Sequence, residues 1–216
     1  LNIKLDIDQP IYSAREKAMA NYSEFMNAAP SDSLRVEALR RLADLELERS
    51  EDRFQDQLAK LGEQQSISER QQVELKGVSY EKAIKLYEDA LKAAGKTGDI
   101  ENAEILYQLS KAYEQIGDRR KALRSLDRLL DEFPNIENRD EVHFRRAELL
   151  FSLKSYKQAE LAYTQAMLVS TSSPYYEKAL SQRGWTAYKQ NDYVKALYSF
   201  FNFIDRKLRG STGRIG

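Results

Sequence analysis

Residues 156–166 read YKQAELAYTQA, and the same arrangement returns as YVKALYSFFNF at 193–203 and as YEKAIKLYEDA at 80–90. Each stretch carries an aromatic residue, an alanine, a second aromatic and then a small or aromatic residue. The positions are Tyr156/Ala159/Tyr163/Ala166, Tyr193/Ala196/Phe200/Phe203 and Tyr80/Ala83/Tyr87/Ala90. A fourth copy, Arg119/Ala122/Leu126/Leu129, keeps the alanine and loses the first aromatic. Spacings of three and four place these side chains on one face of a helix. The alanine lets a neighbouring helix approach closely, and the large side chains fill the space beside it.

A second small residue precedes each of three alanines by 12 positions: Ser110 before Ala122, Ala147 before Ala159 and Gly184 before Ala196. That offset fits the close-contact point on the first helix of a hairpin. Short turns lie between, at Gly117-Asp118, Lys154-Ser155 and Asn191-Asp192. The alanines at 83, 122, 159 and 196 are 39, 37 and 37 residues apart, and such a period marks an array of stacked hairpins. Loop residues such as Ser170 to Pro174 lengthen the period, and Pro134 stops a helix.

With these residues in place, residues 103–134 (Ala103 to Leu109, Tyr113, Gly117, Ala122, Pro134) resemble a tetratricopeptide repeat (TPR), as do 140–173 and 177–209. Ala18, Tyr22 and Pro30 resemble the second helix of a leading half-repeat within 10–30. Leu39, Leu42 and Ala43 resemble the first helix of the hairpin that 80–90 completes. The resemblance implies an all-α fold, a right-handed superhelical solenoid of antiparallel hairpins over residues 1–209, with 210–216 a linker or tag remnant. Ala83 stands 40 positions after Ala43, where the repeat expects 12. The extended hairpin 36–94 is therefore expected to carry an inserted arm, 51–76. Its Phe54, Leu58 and Leu61 form a thin apolar stripe, and Gly62 is a candidate turn. A polar insertion without fixed structure is the alternative.

Composition narrows function by exclusion. Thirty-four basic residues balance thirty-four acidic ones, so no global field draws in nucleic acid or an anionic membrane. Cysteine is absent and histidine occurs once, which removes disulfides and the usual nitrogen and sulfur metal sites. No apolar run reaches the length of a membrane helix. His143 reads as a packing residue of a first helix. Carboxylate pairs such as Asp131-Glu132 read as solvated helix faces. Gly95-Lys96-Thr97-Gly98 lacks the upstream glycine and strand of a phosphate loop, so Gly95 reads as a helix stop. Arg40-Arg41, Arg119-Arg120-Lys121 and Arg145-Arg146 read as dispersed surface charge. No catalytic residue, cofactor or metal is expected, and the chain reads as a non-enzyme.

The resemblance places function on the concave face, lined by the first helix of each hairpin. Counted from the small residue, the expected protein-binding side chains are Tyr107, Lys111, Phe144, Glu148, Phe151, Trp185 and Tyr188, with Lys178 and Ser181 in the same rows. The expected partner is a protein or peptide segment, with neither nucleic acid nor membrane insertion. Self-association through the arm or the solenoid ends is the competing reading, and a non-catalytic region of a longer protein is another. Beginning at Leu1, the chain is expected to be a processed form or excised fragment. Leu34 to Glu48, the Gln/Glu-rich insertion and Gly184-Trp185 to Leu208 resemble the N-terminal region of bacterial envelope TPR proteins. That likeness implies a periplasmic location, the cytoplasm being the alternative, and a role in envelope assembly or transport.

Overall fold

The structure, a computed structural model, describes residues 8–28, 31–61, 80–95 and 100–212. Among the described residues it is all-helical: α1 (Asp8–Asn27), α2 (Asp32–Leu61), α3 (Glu81–Ala94), α4 (Ile100–Gln115), α5 (Arg119–Glu132), α6 (Arg139–Ser152), α7 (Tyr156–Val169), α8 (Tyr176–Lys189) and α9 (Tyr193–Thr212). The chain divides into two compact units, Leu1–Asp118 and Arg119–Gly216. In the first, α1 packs on α2, α2 on α3 and α3 on α4; in the second, α5 packs on α6, and α6 through α9 stack in succession.

The small residues of the repeat lie where helices meet. Ala43, Ala83, Ser110, Ala122, Ala147, Ala159, Gly184 and Ala196 are all buried. Gly184 shows why size matters there: a Cβ added to it would stand 2.6 Å from Cε1 of Phe200. The buried cluster of the second unit is Ala147, Leu150, Ala159, Ala162, Tyr163, Ala166 and Ala179. Five of the seven are alanines, three of them on α7, so this core gains from close backbone approach as well as from large side chains.

The three turns share one geometry. After α4, α6 and α8 the chain enters the left-handed region at Gly117 (φ 77°), Lys154 (φ 61°) and Asn191 (φ 62°). Asp118 N–H donates to Tyr113 O, Ser155 N–H to Leu150 O and Asp192 N–H to Ala187 O, each at 2.9 to 3.0 Å. Gly117, Lys154 and Asn191 N–H donate to Glu114, Phe151 and Tyr188 O at 2.9 to 3.0 Å. This crossed pair is the Schellman motif, which satisfies the last carbonyls of a helix. Gly95 likewise ends α3 at φ 65°, as the sequence predicts, and α5 stops two residues before Pro134.

The helix α2 is 30 residues long, about 45 Å at the α-helical rise. It continues unbroken through position 51 to Leu61, so the first part of the expected arm is helical. Arg15 of α1 reaches Asp52 at 2.6 Å and Arg49 reaches Glu16 of α1 at 3.2 Å, so α1 flanks this stretch. Gly62 and the rest of the arm lie outside the described residues.

Candidate protein-binding surface

The first helices of the second unit, α6 and α8, carry most of the expected contact residues. One internal bond recurs between a first and a second helix. Tyr87 of α3 is fully buried and its hydroxyl donates to Asp44 of α2 at 2.6 Å. Tyr163 of α7 is equally buried and donates to Glu148 of α6. Asp44 follows Ala43, and Glu148 follows Ala147, so the bond occupies one repeat position in both hairpins. Burial and the facing carboxylate push both phenols far above their ordinary range. In the last hairpin the pair becomes Trp185 and Phe200, packed edge to face with ring centroids 5.2 Å apart.

That substitution has a consequence on the surface. Where those two hairpins present a carboxylate turned inward to a phenol, the last presents an indole, and Trp185 is 48% exposed. Tyr188, one turn on, is also 48% exposed. Its ring centroid lies 6.1 Å from that of Trp185 and 5.7 Å from that of Tyr193, each contact edge to face. Three aromatic rings therefore line up at the surface with Phe200 beneath the first.

Beside this ladder, on the same face of α8 by the spacing of Lys178, Ser181 and Trp185, is an open groove of 530 Å³. Phe144 of α6, Lys178, Ser181 and Gln182 of α8, and Phe203 and Lys207 of α9 line it. Phe144 is half-buried and packs on Tyr163 and Tyr175, with centroids 5.8 and 5.4 Å apart. Lys178 Nζ lies 5.4 Å from the Tyr175 ring centre. Lys207 pairs with Glu177, which holds that carboxyl below its ordinary value.

The other expected residues are placed as follows. Phe151 is half-buried, packs on the core cluster and meets the Tyr156 ring at 5.4 Å. Glu148 has its carboxylate engaged by Tyr163 and, at 3.5 Å, by Gln182 Nε2. Tyr107 and Lys111 are half-buried on α4 in the first unit. In two of the three short basic clusters arginines are paired: Arg40 with Glu104 at 2.7 Å, Arg145 with Glu141 at 2.9 Å and Arg146 with Asp127 at 2.6 Å. Sequence reasoning omitted Tyr193, Phe203 and Lys207 because it looked only to first helices. Phe203 had a visible signal, since it stands where Ala90 and Ala166 stand in the sister repeats.

His143 is buried on α6, and its Nε2 accepts from Arg139 Nε at 3.3 Å. Burial first, then the charges of Arg139 and Arg146, lower its pKa to about 4. It is a neutral packing residue at ordinary pH, as expected. Among the described residues no group of acidic, histidine or cysteine side chains is placed to hold a metal ion. Nor is any described helix long and apolar enough to cross a membrane.

A solenoid of alanine-seamed hairpins with aromatics on its first-helix faces is a helical-repeat fold of the kind that holds other proteins. Residues 79–143 match the family model for the tetratricopeptide repeat. Repeats of this family serve in general as non-catalytic protein-binding scaffolds. No curated protein matches the sequence. Among solved structures, the fold resembles MamA at 14% identity over 98% of this chain and 99% of that one, TM-score 0.64. A tetratricopeptide repeat protein from Parabacteroides merdae is 20% identical over 94% of this chain and 64% of that one, TM-score 0.59. YrrB, described as a TPR protein with an unusual peptide-binding site, is 17% identical over 91% and 79%, TM-score 0.60. These likenesses are of fold.

Proposed function

We propose that the chain is a scaffold that holds a protein or peptide segment against its first-helix faces. In the second unit the contact surface is Phe144, Glu148, Phe151, Trp185 and Tyr188; in the first it is Tyr107 and Lys111. The observation that carries this reading is the half-exposed pair Trp185 and Tyr188 beside the Phe144 groove. Large aromatic rings left uncovered on a rigid helix are the residues that dominate protein interfaces. Covering the exposed half of each ring removes on the order of 100 Å² of mostly apolar surface, worth about 2 kcal/mol per ring. An exposed charge pair at the rim contributes about 1 kcal/mol or less. The aromatics therefore set the affinity and the surrounding charges set the register.

The setting we propose is a bacterial cell-envelope assembly or transport complex, in the periplasm. The support is the sequence likeness of Leu34 to Glu48, the insertion and the 184–208 segment to envelope proteins of this family.

The test is a peptide selected from a display library against the full chain. Trp185→Ala and Tyr188→Ala should each weaken its binding about tenfold or more, with helical content and melting temperature unchanged. A selected peptide whose affinity is indifferent to both substitutions would contradict the proposed surface.

A further inference from the structure

The α8 helix has a second open side, turned away from Trp185. Tyr176, Leu180 and Arg183 recur at spacings of four and three, which puts them on the helix face opposite Trp185. They border an open groove of 770 Å³ whose other wall is Tyr198, Asn202 and Arg209 of α9. Met167 of α7 and the buried Leu180 make its lining partly apolar, and Tyr198 beside them is 65% exposed.

The two carboxylates of this groove are already matched. Glu177 pairs with Lys207 and, at 3.5 Å, with Arg206; Asp205 pairs with Arg209 at 2.9 Å. Arg206 is held in place as well, 4.5 Å from the Tyr176 ring centre, and it donates to Thr171 O. Arg183 differs. It is half-buried, and among the described residues no carboxylate pairs with it; its bond is a long one, 3.4 Å from Nε to the Ser199 hydroxyl.

The preceding repeat shows what Arg183 lacks. Thirty-seven residues earlier its counterpart is Arg146, whose Nε meets Asp127 of α5 at 2.6 Å. The counterpart of Asp127 is Thr164 of α7, and its hydroxyl turns back to Glu160 O at 2.8 Å. The last repeat therefore keeps the arginine and loses its acid. A further repeat would not cover this side. Tyr198, Asn202 and Asp205 correspond to Leu161, Gln165 and Leu168, which stay exposed, the two leucines at 66% and 71%, although α8 stacks on α7.

We infer that this groove is a docking site for an acidic peptide segment of a partner protein, one carboxylate of which takes the place of the missing acid opposite Arg183. The planar guanidinium suits a two-pronged bond to a carboxylate. One unmatched positive charge calls for one negative charge, which a carboxylate supplies and a phosphate dianion exceeds. Apolar side chains flanking the acid have Met167, Leu180 and Tyr198 to lie on. The site is separate from the Trp185 surface, so the two readings stand or fall independently.

Fluorescence anisotropy with short labelled peptide amides tests it, leucine and phenylalanine flanking a central glutamate, glutamine, lysine or phosphoserine. The full chain should bind the glutamate peptide at least about tenfold more tightly than the glutamine and lysine peptides. Arg183→Gln should remove that preference. Thr164→Asp, which restores the acid within the chain, should weaken the glutamate peptide about tenfold. Both variants should keep the parent's helical content, and Trp185→Ala should bind this peptide as the parent does. Equal binding of the glutamate and glutamine peptides, or no binding of either up to about 1 mM, would overturn the inference. So would a preference for phosphoserine, an unchanged affinity in Arg183→Gln or Thr164→Asp, or an Arg183-dependent self-association in sedimentation, which would make a second copy the occupant.

Discussion

The side chain at position 184 decides how closely the last two helices meet. Gly184→Ala gains up to about 1 kcal/mol of helix propensity but drives a methyl group into the Phe200 ring, 2.6 Å away. Overpacking of this kind costs about 1–3 kcal/mol, so the net effect is destabilisation, read as a lower melting temperature. Adding Phe200→Leu, which removes the ring, should relieve the clash. His143 makes a pH-dependent contribution. Its folded pKa of about 4 lies below the ordinary 6.5, so the unfolded chain binds more protons between those values. Stability is therefore complete above pH 6.5 and falls as pH drops towards 4, by at most about 3 kcal/mol for a shift of this size. Thermal unfolding of His143→Gln across this range should show a shallower decline than the parent chain. An equal decline would mean that carboxylates alone carry it.

At the scale of the element, the three Schellman turns differ in how well their residues suit a left-handed backbone. Gly117 adopts it freely and Asn191 with ease, whereas Lys154 adopts it at φ 61° against its Cβ. Lys154→Gly should stabilise the α6–α7 hairpin by up to about 1 kcal/mol, and Gly117→Ala should destabilise its own turn by a similar amount. Denaturant midpoints of the two variants should move in opposite directions. The turns were legible because Gly-Asp, Lys-Ser and Asn-Asp recur at one position of a repeat; Lys154 alone would not have signalled one. The helical part of the arm was legible too, from a proline-free run rich in Glu, Gln, Arg and Lys that α2 follows to Leu61.

For the molecule as a whole, the repeat was written plainly in the sequence because its alanines answer a hard steric demand. All four second-helix alanines and the small residues opposite them are buried. The binding surface was less legible, because an aromatic on a first helix can face either way. Phe144 and Phe151 turn partly into the core, whereas Trp185 and Tyr188 stay half-exposed. What separates them is the second-helix partner: Phe144 meets Tyr163, while Trp185 sits above a phenylalanine with no hydroxyl to satisfy. Phe203 and Lys207 went unseen because they reach the groove from a second helix. The proposed partner segment lies across α8 on Trp185, the single tryptophan of the chain. Its emission during titration with a selected peptide is the most direct measurement. A segment seated on Trp185 should give a saturable blue shift or quench that follows the binding curve, and protection of the indole from soluble quencher. Saturation of binding with an unchanged, fully quenchable tryptophan would contradict it.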